Sequence, residues 1–381
     1  MRTAVIWGLA WALGLSGFAS VVTAQVDAER VLTVPCVGSV GEEITAEGLR
    51  DALRRAERQK VSKVILEVDS PGGYVYEANA LIEVLRENDE AFEIVTVVTG
   101  DALSAATVFL AAADRWVVTP GANIGAATAF SEDSSTGSVD VDAKFNSVWA
   151  SSLAGLAMEN DWSGDLFRAM VERGVTLYAG WTGAEGTPAV FSRNWPEDMD
   201  RVKRIDTDET VLALHSADLV ELGLATVVDD PGLDEIAKLM DWGAVRTAGR
   251  YGITSMARAA KTRAALASDM AELREQLEYH TQQAAQTDPR GLRLYFDRDT
   301  MLLTGASQRA WSRAAEASLG HWVAAERIMT RMARLDQRIE RAGALHLAVD
   351  RESADGLYKS IAENVSYLRA NMRRTHYEFG P

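Results

Sequence analysis

The sequence predicts an α/β domain with a mostly parallel sheet, followed by an all-helical C-terminal extension. Three observations carry this. Short β-branched runs alternate with amphipathic helical segments over residues 31–128. From Ser255 onward the apolar residues recur at helical spacing alone. The charge balance also changes near Gly252: residues 25–254 carry 19 Lys/Arg against 39 Asp/Glu, a net of −20, whereas residues 255–381 carry 19 against 16, a net of +3.

The elements follow in order. Val31–Val40 reads as a strand and Thr45–Gln59 as a helix with Leu49, Leu53 and Ala56 on one face. Val64–Val68 is a continuous apolar run, the pattern of a strand buried on both faces of a parallel sheet. Tyr74–Asn88 reads as a helix, Ile94–Val98 as a strand, Ser104–Ala113 as a small-residue helix, and Trp116–Thr119 as a strand ending at Pro120-Gly121. Residues 129–142, rich in Ser, Asp, Gly and Thr, read as an exposed loop. A helix over Lys144–Asn160 follows. Residues 161–206, with Trp162, Trp181 and Trp195 among glycines, read as an irregular insertion. Val211–Leu222 reads as a helix and Ala225–Val228 as a last strand.

In the extension, Leu266, Met270, Leu273 and Leu277 form one seam. Trp322, Ala325, Met329, Met332 and Ile339 form a second, interrupted by Asp336, and Asp288-Pro289-Arg290-Gly291 separates the two. This predicts a helical hairpin or short coiled coil, or else a helical appendage packed on the core. The expected organisation is a leader over 1–24, an α/β domain over 25–252 and a helical domain over 253–381.

The 381 residues suffice for about two domains of roughly 100–200 residues each. A net charge of −16 argues against nucleic acid as the main partner, since phosphate binding needs a basic surface. A single cysteine, Cys36, excludes an internal disulfide framework, and its apolar run predicts a buried small hydrophobe. Arg2, the apolar run Ala4–Ala19 and Val22-Thr23-Ala24 predict a cleaved export signal rather than an anchor, because the run is shorter than the about 20 residues of a membrane span. No metal or cofactor is expected.

Three features have the residue types for chemistry, each with a plainer structural reading. Asp69-Ser70-Pro71-Gly72-Gly73 follows a strand, where glycines let backbone N–H groups face a ligand; it is equally a strand-to-helix turn. Ser104, between a strand and a helix, stands where a helix N-terminus favours negative charge, or is simply an N-cap. Lys144 acts as a base only if desolvation lowers its pKa. Phe145, Val148 and Trp149 offer apolar cover for it, whereas Asp140 and Asp142 would keep it charged, as on any solvated surface.

Order and spacing give these features more weight together. The strand, Asp-x-Pro-Gly-Gly, helix, strand, Ser104-Ala105-Ala106 and Gly121-Ala122-Asn123-Ile124-Gly125-Ala126-Ala127 resemble the Clp protease/crotonase superfamily. The likeness is greatest to membrane-associated serine proteases of the NfeD and signal-peptide-peptidase-A type, over about residues 30–240. The resemblance implies a core of repeated β-β-α spiral units, with Ser104 as nucleophile, Lys144 as base, Gly73 and Ala105 as oxyanion-hole N–H donors, and Gly72 and Gly125 bordering the substrate. Clp-type relatives with a Ser-His-Asp triad carry a histidine near the region of Gly125–Thr128. All five histidines here lie beyond residue 210, and His215 reads as structural, so a Ser-Lys dyad is favoured. The chain departs from the family at Ala106, where glycine is usual, in residues 161–206, and in having helices where the family has membrane-spanning and barrel regions.

The implied function is an exported, ATP-independent serine endopeptidase of the periplasm or cell envelope. Its partners would be peptide or protein substrates, the membrane surface or envelope proteins, and further copies of itself. A catalytically silent envelope scaffold acting through the helical tail is the alternative, and a crotonase-like acyl-CoA enzyme a third.

Overall fold

The computed structural model describes residues 28–129, 139–183 and 187–372, with side chains of the 139–159 helix described from Lys144 onward. The leader expected over 1–24, and residues 130–138 of the predicted loop, lie outside the described residues.

The first half alternates as β1 (Glu29–Val37), α1 (Ala46–Arg58), β2 (Lys63–Ser70), α2 (Val75–Arg86), β3 (Glu93–Leu103), α3 (Val108–Ala111), β4 (Arg115–Val118) and β5 (Asn123–Gly125). It continues with α4 (Val139–Glu159), α5 (Gly164–Val171), β6 (Leu177–Trp181), β7 (Val190–Ser192), β8 (Arg201–Asp206), β9 (Ala213–His215), α6 (Ser216–Glu221), β10 (Ala225–Val227), α7 (Leu233–Leu239) and β11 (Val245–Thr247). The main sheet runs β10-β4-β3-β2-β1-β11, every pair parallel.

The apolar runs have a physical basis in the two faces of this sheet. Val64, Leu66 and Val68 point into a core shared with α1, α2 and α4. Ile65, Val95, Val97 and Val117 point the other way, onto Ile236, Ala237 and Trp242 of α7 and the turn after it. α1 starts where the Thr45 hydroxyl accepts from Gly48 N–H at 3.0 Å, and it buries Leu49, Leu53 and Ala56 as its spacing predicts. Cys36 is buried, and burial followed by the nearby Glu67 carboxylate pushes its thiol far above the ordinary range. It is packing, not chemistry.

β3 is longer than expected and serves two neighbours. Its first half pairs with β4, and Asp101–Leu103 pair with β5, which leaves the main path. β5 in turn pairs antiparallel with β9, so Ala213–His215 is a strand, and the helix expected over Val211–Leu222 shrinks to α6. His215 caps that helix, its ring nitrogen accepting from Ala217 N–H at 3.3 Å. The expected helix Ser104–Ala113 is a 3-10 turn, Ser104–Thr107, followed by the single turn of α3. The insertion 161–206 is more ordered than predicted: it contains α5 and a separate antiparallel sheet, β7-β6-β8. Trp162 stacks on Trp116 at 4.2 Å and donates to Ala113 O, which ties the insertion to the core.

The extension consists of α8 (Tyr251–Gln286), α9 (Gly305–Arg341) and α10 (Arg351–Asn371). α8 and α9 form a hairpin whose two seams meet in one buried cluster. The Pro289–Gly291 turn follows α8. Asp336 interrupts the seam because its carboxylate accepts from Val349 N–H at 3.0 Å, fixing the chain after α9. A third helix was not predicted. α10 packs on α9 through Ile361, Val365 and Leu368, and Trp311 of α9 donates to Asn371 O. The root of α8 is packed on the α/β domain. Met256 enters that core, Ser255 donates to the Asp51 carboxylate at 2.7 Å, and a Cβ on Gly252 would stand 2.2 Å from Thr33 O. Among the described residues no helix is long and apolar enough to cross a membrane.

Candidate active site

The site forms at the carboxyl ends of β2 and β3, where ligands of open α/β sheets bind. β2 ends in Ser70, whose buried hydroxyl accepts from Gly72 N–H at 3.1 Å and bends the chain into the Gly-Gly turn. A loop after β1 holds the turn from behind. Gly72 O accepts from Val40 N–H at 2.8 Å, and Val40 O accepts from Tyr74 N–H at 2.9 Å. Those two bonds straddle Gly73, whose own N–H is left without an acceptor among the described residues and whose backbone is exposed. Gly72 and Gly73 have φ of +100° and +155°. Both also lack room for a side chain, since a Cβ on Gly72 would meet Ser104 Cβ at 2.4 Å and one on Gly73 would meet Val40 O at 2.1 Å.

Ser104 follows β3 directly and has φ +52°, in the left-handed region that non-glycine residues avoid. It is not an N-cap: Leu103 holds that position, with no side-chain cap bond. Backbone strain of this kind costs on the order of 1–3 kcal/mol and persists only where the surroundings enforce it. Here they are the Gly72 backbone on one side and, on the other, the Thr107 hydroxyl, which donates to Ser104 O at 2.7 Å. The side chain is half-buried, and among the described residues its hydroxyl has no hydrogen-bond partner. Ala105 is buried and is the second residue of the 3-10 turn, where the first N–H groups have no intrahelical acceptor. Its nitrogen stands 3.0 Å from the position a Gly72 Cβ would take. Ala106 fits without strain, fully buried beneath the turn.

Gly125 stands in register with Leu103, one residue from Ser104. It has φ +105°, and a Cβ there would meet Leu212 O at 2.5 Å. A polar relay fixes the three strand ends relative to one another: Asp69 accepts from Asp101 N–H at 3.1 Å, and Asp101 accepts from the Asn123 amide at 2.9 Å. The structure therefore brings Gly72, Gly73, Ser104, Ala105 and Gly125 into one place.

Lys144 is exposed on α4, and no hydrogen bond or ion pair joins it to Ser104 among the described residues. Its helix is anchored to the site by other residues. Asn146 accepts from Ala129 N–H at 2.7 Å and donates to Ala129 O, and Trp149 donates to Ala127 O at 2.8 Å, clasping the segment that leaves β5. Trp149 is thereby buried in the core and unable to cover Lys144. Phe145 and Val148 flank the lysine but are 62% and 67% exposed. The side chains of Asp140 and Asp142 lie outside the described part of this helix.

Val40 and Asn146 were not anticipated as site-forming residues, and Asp69 and Asn123 were named only as members of their motifs. Only Gly38-x-x-Gly41, a loop with two glycines close after a strand, offered a local signal. A cavity of about 700 Å³, lined by Asp114, Trp116, Trp162 and Phe191, opens at the opposite ends of the strands from Ser104. Among the described residues no group of three or more His, Cys, Asp or Glu could hold a metal ion.

Residues 30–185 match the family described as NfeD1b, N-terminal domain. No curated protein matches the chain. Among solved structures, a serine-to-alanine mutant of the 1510-N membrane-bound stomatin-specific protease shares 16% identity over 55% of this chain and 84% of its own, with a TM-score of 0.39. A lysine-to-alanine mutant of the same protease in complex with a substrate peptide shares 17% over 56% and 80%, with a TM-score of 0.38. An asparagine-to-aspartate mutant of ClpP1 from Listeria monocytogenes shares 16% over 52% and 92%, with a TM-score of 0.34.

Proposed function

We propose that the chain, whose residues 30–185 match the family described as NfeD1b, N-terminal domain, is an exported serine endopeptidase of the Clp/NfeD type in which Ser104 is the nucleophile. The observation that carries this reading is the strained Ser104, held at φ +52° against a glycine turn whose Gly73 N–H is unpaired. In this reading Ser104 Oγ attacks a peptide carbonyl, and the N–H groups of Gly73 and Ala105 take up the negative charge on the carbonyl oxygen. Lys144 accepts the hydroxyl proton and returns it to the leaving amine, and water then hydrolyses the acyl-enzyme by the same route in reverse. Gly72 and Gly125 border the scissile segment. The chain works without metal or nucleotide at the envelope or membrane surface, as an oligomer.

Lys144 must hydrogen-bond to Ser104 and lose water for this chemistry. Its helix stands beside the site, since Asn146 and Trp149 of α4 clasp Ala129 and Ala127 where the chain leaves β5. Phe145 and Val148 stand ready to exclude water once a substrate or a second copy covers them. The exposure of Lys144 favours a second reading, a silent Clp-type scaffold acting through its helical tail.

Labelling with a serine-directed phosphonate separates the two. The protease reading expects modification at Ser104, none in Ser104→Ala, and a rate about 10²–10⁴-fold lower in Lys144→Ala, the usual contribution of a general base. A folded protein that neither labels nor cleaves any peptide would leave the scaffold reading standing.

A further inference from the structure

The helical extension reaches the back of the candidate oxyanion turn. Tyr74, the residue after Gly73, sets one edge of its ring against Gly41, where a Cβ would stand 2.5 Å from Tyr74 Cδ2. A face of the ring is stacked by His346 at 4.5 Å between centroids, with the planes 15° apart. His346 belongs to the short turn Leu345–Leu347 that follows α9, and it also makes a hydrogen bond with the Tyr76 hydroxyl. Beside it, Arg263 of α8 donates to Gly41 O at 2.7 Å, to both oxygens of Glu77 at 2.9 and 3.0 Å, and to Ala342 O at 3.2 Å. The tail thus grips the loop carrying Val40 and the first turn of α2. Those are the two backbone pieces between which the Gly72–Tyr74 turn is hydrogen-bonded.

We propose that His346 is a positioning residue for the Gly73 N–H, and that docking of the α9 end sets the geometry of the oxyanion site. The inference rests on the protease reading for its catalytic consequence and on geometry alone for its mechanical one. Tyr74 is held by Gly41 at its ring edge and by the imidazole on its face, so its backbone, and with it the peptide of Gly73, follows the position of the tail. A ligand or partner that lifts the Leu345–Leu347 turn would loosen the site without touching Ser104. The stacking face is what matters: Tyr74 needs a flat ring behind it, whereas the bond to Tyr76 fixes the azimuth of that ring.

The test compares His346→Ala, His346→Phe and His321→Ala in the full chain. His321 sits in the middle of α9 against His280, which lies roughly 25 Å along α8 from Arg263 at 1.5 Å per residue, so its loss controls for general tail damage. In His346→Ala the maximal rate of phosphonate labelling at Ser104 should fall about 10–100-fold with an unchanged half-saturating concentration, as a misplaced oxyanion donor predicts. His346→Phe restores the stack and should return within about threefold of the parent, and His321→Ala should match it. Amide hydrogen exchange over residues 38–45 and 72–77 should accelerate in His346→Ala alone. Unchanged exchange there overturns the proposal, as does a phenylalanine variant no better than alanine. A parent protein that never labels refutes the protease reading instead, and the exchange comparison still decides the mechanical claim.

Discussion

Replacing Arg263 with Met should lower the unfolding free energy by roughly 3–5 kcal/mol, the cost of leaving one member of a buried ion pair alone. The two side chains are only 3% and 1% exposed. Methionine fills most of the volume but returns nothing to the Glu77 carboxylate, to Gly41 O or to Ala342 O. Glu77 keeps only the Ala46 N–H, at 2.6 Å.

The pH dependence of that loss has a definite sign. Burial pushes the Glu77 carboxyl above its ordinary range, while the Arg263 charge and the Ala46 N–H pull it back. A carboxyl raised in the folded state holds a proton that the unfolded chain has released. Its contribution is fully present below the unfolded pKa and is lost as pH rises through the folded one. Removing Arg263 removes the strongest downward pull, so the folded pKa climbs and the penalty widens with pH. Denaturant unfolding at about pH 5 and about pH 8 should therefore give the smaller deficit at the lower pH. A second change, Glu77→Gln, should recover much of the loss, because the amide oxygen still accepts from Ala46 without carrying a charge. A deficit below about 1 kcal/mol, typical of a solvated surface pair, would mean the clamp is not desolvated.

Arg263 also marks the limit of what the sequence discloses. A lone arginine in a helix with Arg258 and Lys261 close by reads as a solvated face. Its burial is decided by Glu77, far away in the chain, and nothing local signals it. The parallel sheet was legible for the opposite reason. Runs such as Val64–Val68 and Ile94–Val98 are apolar on both faces, and only a sheet covered on both sides requires that. Ala213–His215 was misread as helix because Leu212, Leu219 and Leu222 recur at helical spacing across it, whereas its strand state comes from pairing with β5. The sheet of the insertion was hidden for a related reason: β8 reads Arg-Val-Lys-Arg-Ile-Asp, with little apolar alternation to distinguish it.

The candidate site divides along the same line. Ser104 and the Gly-Gly turn were found from their places at strand ends, a rule of the fold class. The left-handed backbone at Ser104 was not, because it is imposed across space by Gly72. The apolar cover expected over Lys144 also failed in part for a spatial reason. Trp149 satisfies its indole N–H at Ala127 O, which turns it into the core, and a helical wheel does not reveal which acceptor a ring will find.

Gly73→Ala should be the most damaging single-methyl change in the turn. The new Cβ would lie 2.1 Å from Val40 O and 2.7 Å from Val40 N, and both obstacles are backbone. A flexible side chain could swing aside, but a strand-end peptide held by two hydrogen bonds cannot. The turn must move instead, carrying the Gly73 N–H with it. The predicted result is a loss of about 10²–10³ in the maximal rate of Ser104 labelling, the effect of removing one oxyanion donor. A stability cost of about 1–3 kcal/mol should accompany it. Gly174→Ala separates strain from collision: Gly174 also has a positive φ, +82°, but a Cβ there meets nothing within 4 Å. It should show a backbone cost alone, about 1 kcal/mol, with labelling unchanged. If Gly73→Ala labels at the parent rate while remaining folded, the Gly73 N–H is not an oxyanion donor. The strained serine would then need another explanation, since the glycine turn that enforces its backbone would no longer be serving its chemistry.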